Sequence, residues 1–325
     1  MQEFYGSHIH SQINQPQLLN SNTLHVITMI SNPIRYHSRY RLFRKWYQEM
    51  LNTPNVIPYV VEVAFGDRAF EITEATNTNH LQLRTRQELW HKENAINLGV
   101  RHLLPLNWKY VCWCDADVTF RNPEWAQESM HQLQHHEIIQ PWQHVSDLGF
   151  EGEILGNFDS FCSLSRRGIK MQINPTDPYK YGHTGFAWCC TRRFWEQTRG
   201  LIDFAILGSA DHHQGWGLLN QIENSIHAGM TSQFKDRCMD WQSRAYMLTR
   251  GDIGFVKGRI EHNFHGSKKN RFYRERWQIS VDNKFNPDTQ LMYDEQGLLV
   301  LINNHKMEIE IGDYMRARNE DSIDA

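Results

Sequence analysis

Short apolar runs alternate with longer amphipathic stretches through the first half of the chain. Residues 24–30 (Leu-His-Val-Ile-Thr-Met-Ile) read as a strand, and 40–51 as a helix with Leu42, Trp46 and Met50 at helical spacing. Residues 56–64 predict a second strand, 80–84 a short third, 88–104 a helix, 110–114 a buried central strand, 123–135 a helix and 137–142 another strand. Strands alternating with helices at this spacing predict an α/β fold with a parallel-sheet, nucleotide-binding layer. Glu62 lies inside the second strand, and a buried acid needs a partner. An internal arginine fits, and so does a nucleotide base or ribose.

The rhythm breaks at 145–180, where Gly, Asp, Ser and Pro are frequent. A long irregular segment of this kind predicts a mobile lid or binding loop. Beyond it, 184–190 and 253–256 read as strands, 193–199 as a helical turn and 233–248 as a helix. Residues 201–207 form an apolar, strand-like run entering a flexible turn at Gly208-Ser209, and 285–301 add a turn and a strand. The polar stretch 1–22 reads as an arm, 23–300 as one domain without internal repeats, and 301–325 as a tail, amphipathic and then acidic.

Composition narrows the class. The chain has 325 residues, 22% charged and 40% hydrophobic, with a net charge of -3. That is an ordinary globular balance, without the global basic bias of a non-specific nucleic-acid binder. No run reaches the roughly 18 apolar residues of a membrane span, and the polar N-terminus is not a signal peptide. The six cysteines lack paired spacing and sit mostly in apolar runs, which predicts reduced core thiols and a cytoplasmic compartment. Cys112 and Cys114 alternate with Val111 and Trp113, so both face one packed side.

Three clusters carry polar side chains that packing does not require. The central strand ends in Asp115 and Asp117, two acids that repel unless a cation lies between them. Hard divalent metals such as Mg²⁺ and Mn²⁺ favour such oxygen ligands together with phosphate and water. The second cluster is Asp211-His212-His213, where Asp211 is either a helix cap or a general base. The third is His262 and His265 with Lys268, Lys269, Arg271 and Arg274; a satisfied core histidine and a solvated basic face are the ordinary alternatives. Lys92 and Asn97, on the predicted helix 88–104, are candidates for a nucleotide side, with a solvated helix face as the alternative.

The order of these motifs resembles that of a GT-A glycosyltransferase over roughly 24–300. Ser31-Asn32-Pro33-Ile34-Arg35-Tyr36 is similar to the nucleotide-binding turn of β-1,4-galactosyltransferase-like and family 2-like enzymes. Trp113-Cys114-Asp115-Ala116-Asp117-Val118 is similar to their Asp-x-Asp strand, and Thr184-Gly185-Phe186-Ala187-Trp188 with Gly208-Ser209-Ala210-Asp211 to their acceptor strand and loop. His262-Asn263-Phe264-His265-Gly266-Ser267 resembles their metal-histidine segment. Ala210 stands where those enzymes carry Glu. Glu88-Leu89-Trp90-His91-Lys92-Glu93-Asn94 and the His-x-x-His-Gly segment also resemble glycosyltransferase-like proteins of phages and bacteria.

The resemblance implies a mixed central sheet flanked by helices, with a nucleotide-sugar and metal half at 23–144 and an acceptor half at 181–300. It implies a nucleotide-sugar donor, commonly a UDP-sugar, and Mn²⁺ or Mg²⁺ on Asp117 with Asp115 close by, the shell completed by His265 or else His262. Asn32, Pro33, Arg35, Glu62 and Lys92 would line the nucleotide pocket. Lys268, Lys269 and Arg271 would close on the phosphates. Asp211 would be the base of an inverting reaction, and Trp188, His212 and Trp216 would meet the acceptor. That acceptor is open among glycan, protein, small molecule and a hydroxymethylated base of phage DNA, whose backbone the basic stretches 165–170 and 257–276 would follow. The rival classes are a metal-dependent phosphoesterase or nuclease, which wants more converging acids, and a non-catalytic nucleotide-sugar or glycan binder, which tolerates loss of Asp211.

Overall fold

A computed structural model describes residues 23–171, 181–272 and 275–323. The expected arm at 1–22, part of the expected lid and Arg274 lie outside these residues. The first half runs β1 (Leu24–Ser31), α1 (His37–Leu51), β2 (Val56–Phe65), β3 (His80–Thr85), α2 (Lys92–Leu103), β4 (Tyr110–Cys114), β5 (Val118–Phe120), α3 (Trp125–Gln132) and β6 (Ile138–Gln140). There follow β7 (His144–Leu148), β8 (Ile154–Asp159), α4 (Phe161–Arg166), β9 (Ala187–Thr191), α5 (Arg192–Thr198), α6 (Ala210–Leu218) and α7 (Ser232–Thr249). The chain closes with β10 (Gly254–Phe255), β11 (Arg259–His262), α8 (Arg276–Asp282), α9 (Pro287–Gln290), β12 (Leu291–Tyr293), β13 (Leu299–Leu301) and α10 (His305–Ala317).

Among the described residues a seven-stranded sheet has the order β10-β6-β9-β4-β1-β2-β3. β1 pairs in parallel with β2 and β4, and β9 runs antiparallel between β4 and β6. This mixed α/β sheet flanked by helices bears out the architecture that the resemblance implied. β1 and β2 are buried almost throughout, in keeping with their mostly apolar runs and with strands covered on both faces. Side chains alternate between two cores: Val111 and Trp113 enter one, Cys112 and Cys114 the other. All six cysteines are free and buried, in accord with the expected core thiols. α2 lies so close to the sheet that a Cβ on Gly99 would meet Ile27 Cδ1 at 2.4 Å and Val61 Cγ2 at 2.6 Å.

Several expectations need correction. The helix expected from 88 begins only at Lys92, because Trp90 gives its N–H to Ile206 O (2.9 Å) and ties the preceding turn to the other half. The apolar run 201–207 forms no strand. Its backbone is satisfied locally and by Asn97, which donates to Leu201 O (3.1 Å) and accepts from Leu201 N (2.9 Å), so Asn97 is not on a nucleotide side. The segment 145–180 is not irregular over its first part. β7 and β8 form a hairpin, β7 joins β11, and Ser160 caps α4. These elements are short and β8 is an exposed edge strand, so the hydrophobic pattern does not reveal them. Among the described residues no helix is long and apolar enough to cross a membrane.

Candidate active site

A second sheet, β5-β11-β7-β8, builds the metal-competent corner. β4 ends at Cys114, the chain turns through Asp115 and Asp117, and β5 then pairs antiparallel with β11, setting Val118 opposite His262. Asn263 N–H donates to Asp117 O at 2.8 Å and locks the turn. β11 pairs in parallel with β7, and that register sets His262 opposite Asp147.

Asp117, His262 and His265 each bring one ligand atom within 4.8 Å of the others. His265 Nε2 lies 3.0 Å from Asp117 Oδ2, and the two histidine Nε2 atoms are 3.1 Å apart. Asp117 Oδ1 is buried without a hydrogen-bond partner. Burial raises the Asp117 pKa, yet His262 and His265 outweigh it and hold the carboxyl well below its usual range. Asp147 Oδ1 sits 2.6 Å from His262 Nδ1. A carboxylate there fixes the proton on Nδ1 and turns the Nε2 lone pair toward the cluster, the arrangement usual behind metal-binding histidines. An orphaned carboxylate oxygen, converging imidazole nitrogens and an orienting acid fit a divalent cation.

This corner opens into a cavity of about 960 Å³ that takes in parts of both halves of the domain. Asp115 faces it but is ion-paired with Lys92 and lies outside the Asp117–His262–His265 triad. Burial opposes the charge on Lys92, but Asp115, Glu93 and Asp211 overcome it and raise the pKa, so the ammonium persists. Asp211 stands in the first turn of α6. Burial pushes its carboxyl up, while Lys92, His183, His212 and Arg276 together bring it below the usual range. Burial drives His183 down to about 3 and His212 to about 4, so both rings are neutral near pH 7 and the cations Lys92 and Arg276 carry the effect.

The turn before α6 is not flexible. Ser209 has φ 75°, a left-handed conformation that costs a non-glycine residue about 1–3 kcal/mol. Its Oγ accepts from Arg276 Nη2 (2.5 Å) and Trp277 Nε1 (2.9 Å), which pins the strained turn in place. Tyr181 and Trp277 flank His212, with ring centroids 5.2 and 5.9 Å away, forming an aromatic wall near Asp211.

The same cavity holds Pro33, His212, Lys268, Lys269 and Arg271. Lys268 is paired with Asp147, and burial, then Arg271, lowers its pKa to about 8. Five expected residues lie outside it. Asn32 is buried, its amide closing a turn on Tyr36 N and O, both at 2.9 Å. Arg35 points outward and pairs with Glu71 at 3.1 Å. Glu62 finds its partner in the chain itself, accepting from the N–H groups of Glu71, Ile72 and Thr73 and from Thr73 Oγ1. Trp188 is a core residue that donates to Thr184 O at 2.6 Å, and Trp216 is buried against Phe161. Within the basic stretches Arg166 pairs with Asp252 and Arg167 with Asp159 at the surface, Arg271 is buried, and Lys257, Arg259 and Lys269 are exposed.

Sequence reasoning missed Asp147, Glu93, His183, Arg276 and the end of the tail. Asp147 lay in a stretch that reads as a loop. Glu320 lay in an acidic tail that reads as solvated, whereas its side chain is fully buried against Arg39 and Arg318. Glu93 lies inside the motif 88–94, His183 directly before Thr184 and Arg276 at the end of the basic stretch 257–276, where proximity was an available signal.

No family model matches the chain, and no curated protein matches it in sequence. Among solved structures it is similar to the catalytic domain of Drosophila beta1,4-galactosyltransferase 7 in complex with xylobiose, at 11% identity and TM-score 0.37, over 88% of this chain and 97% of that one. It is similar to 4-diphosphocytidyl-2C-methyl-D-erythritol synthase of Anaerococcus prevotii, at 8% identity and TM-score 0.36, over 91% of this chain and 97% of that one. It is also similar to S. aureus TarS, at 11% identity and TM-score 0.33, over 93% and 89% of the two chains.

Proposed function

We propose that this chain is a metal-dependent glycosyltransferase that moves a sugar from a nucleotide-sugar donor, a UDP-sugar by the sequence resemblance, to an acceptor hydroxyl. The observation that carries the reading is one cavity with a cation-competent Asp117–His262–His265 corner and, separately, an ionised Asp211 beside an aromatic wall. Asp117, His262 and His265 would hold Mn²⁺ or Mg²⁺, the imidazoles favouring Mn²⁺, and the ion would supply Lewis-acid stabilisation of a leaving diphosphate. Lys269 and Arg271, with Lys268, place further positive charge where phosphate oxygens would lie. Pro33 borders the nucleotide end.

Asp211 takes the proton from the acceptor hydroxyl as that oxygen bonds to the anomeric carbon. The bond from that carbon to the diphosphate oxygen breaks, and its electron pair leaves with the nucleoside diphosphate. Attack opposite the leaving group inverts the configuration. Lys92 favours the charged form of Asp211, and Tyr181, His212 and Trp277 offer ring faces to a ring-bearing acceptor.

The test is incubation with a panel of nucleotide sugars and Mn²⁺, scoring released nucleoside diphosphate. Slow donor hydrolysis without acceptor is expected with at least one donor. Cleavage of phosphodiesters without sugar transfer would favour the phosphoesterase reading, and binding without turnover the binder.

A further inference from the structure

We infer that Glu320, from the segment following α10, is a positioning residue that organises an arginine wall for the phosphates of an anionic ligand. The inference rests on the donor reading above. Glu320 has a fully buried side chain and does not itself face the cavity. Three guanidinium groups that do face it converge on this carboxylate. Arg39 binds it through Nε at 2.5 Å and Nη2 at 2.7 Å, Arg318 through Nε at 2.6 Å, and Arg271 through Nη1 at 3.4 Å.

Each guanidinium has five N–H donors in a rigid fork, so anchoring one edge on Glu320 aims the remainder. Arg39 also donates to Ser31 O (2.6 Å), Arg318 to Tyr314 OH (2.8 Å), and Arg271 to His265 O (2.7 Å). Glu320 also reaches the cation corner, with Oε2 3.6 Å from His265 Nδ1. One buried carboxylate therefore joins the arginine wall to a candidate metal histidine.

The segment is held for this task. Asp321 accepts from the N–H groups of His37 and Ser38 at 2.7 and 2.8 Å, capping α1, and Asn319 N–H donates to Tyr36 OH at 3.1 Å. Arg39 thus belongs to a helix whose start is fastened by the residue after Glu320.

The test is calorimetric titration of the full chain with inorganic pyrophosphate in the presence of Mn²⁺, and with Mn²⁺ alone. Glu320→Gln should weaken pyrophosphate binding roughly tenfold or more, the scale of losing charge-assisted orientation, and Mn²⁺ alone by less. Glu320→Asp keeps the charge but withdraws it by one methylene, so it should fold and bind with intermediate affinity. Wild-type affinity in a folded Glu320→Gln overturns the inference and leaves the donor reading standing. If Glu320→Gln does not fold, wild-type affinity in Glu320→Asp overturns it. No pyrophosphate binding by the unsubstituted chain sinks the donor reading and this inference with it.

Discussion

Asp211 stands in the first turn of α6, where a helix cap and a general base would use the same carboxylate. The structure adds the charges around it, with Lys92 and Arg276 keeping it ionised despite burial. Asp211→Asn keeps the shape and loses the basicity. Transfer should fall by roughly two orders of magnitude or more while donor affinity holds; near-normal transfer would return Asp211 to a capping role. Gly185 offers a second residue-scale test. A Cβ there would lie 2.9 Å from His183 Cε1 and 3.1 Å from Asp211 Oδ2. Gly185→Ala should displace the base and lower kcat by about tenfold to a hundredfold, with thermal stability little changed. Glu93 gives a test in stability. Burial, with Asp211 and Asp115 adding to it, raises its carboxyl to about 8 even against Lys92. A folded pKa above the unfolded value means that the native state binds the extra proton. Stability in metal-free buffer should fall as pH rises from about 4.5 to about 8 and level off beyond. Glu93→Gln should flatten that fall in denaturant titrations across the window; an unchanged slope would contradict the assignment.

At the scale of elements, β1, β2 and β4 were readable because each is a mostly apolar, buried run, and β3 because Leu81 and Leu83 alternate with polar residues. The hairpin β7–β8 was not, because β7 buries the polar Ser146 and Asp147 and β8 is an exposed edge strand. That difference matters chemically. The parallel register of β7 with β11 brings Asp147 to His262, and neither segment alone carries a sign of the pairing. Glu62 shows the converse. Its place in a buried strand correctly demanded a partner, but the partner is the backbone of 71–73, which no local pattern announces. Because the Asp147 carboxylate orients His262, Asp147→Asn should weaken Mn²⁺ binding by about 10–100-fold, the usual scale for an acid behind a metal-binding histidine. Direct titration of Mn²⁺ checks this, and unchanged affinity would remove β7 from the site.

For the whole molecule, motif order placed the three clusters in one chain, and folding brings them to one cavity. The turn after β4, the first turn of α6 and the segment after β11 meet there although they are far apart in sequence. What the sequence could not show was closure by the C-terminus, since an acidic tail with no apolar period looks the same whether solvated or buried against arginines. The central claim is that this cavity works with a divalent cation on Asp117, His262 and His265. The most direct measurement is nucleoside diphosphate release from the best donor with Mn²⁺, with EDTA, and with Asp117→Ala in Mn²⁺, circular dichroism confirming the fold of the variant. The account predicts release with Mn²⁺ and its loss both in EDTA and in Asp117→Ala; full activity in EDTA would contradict it.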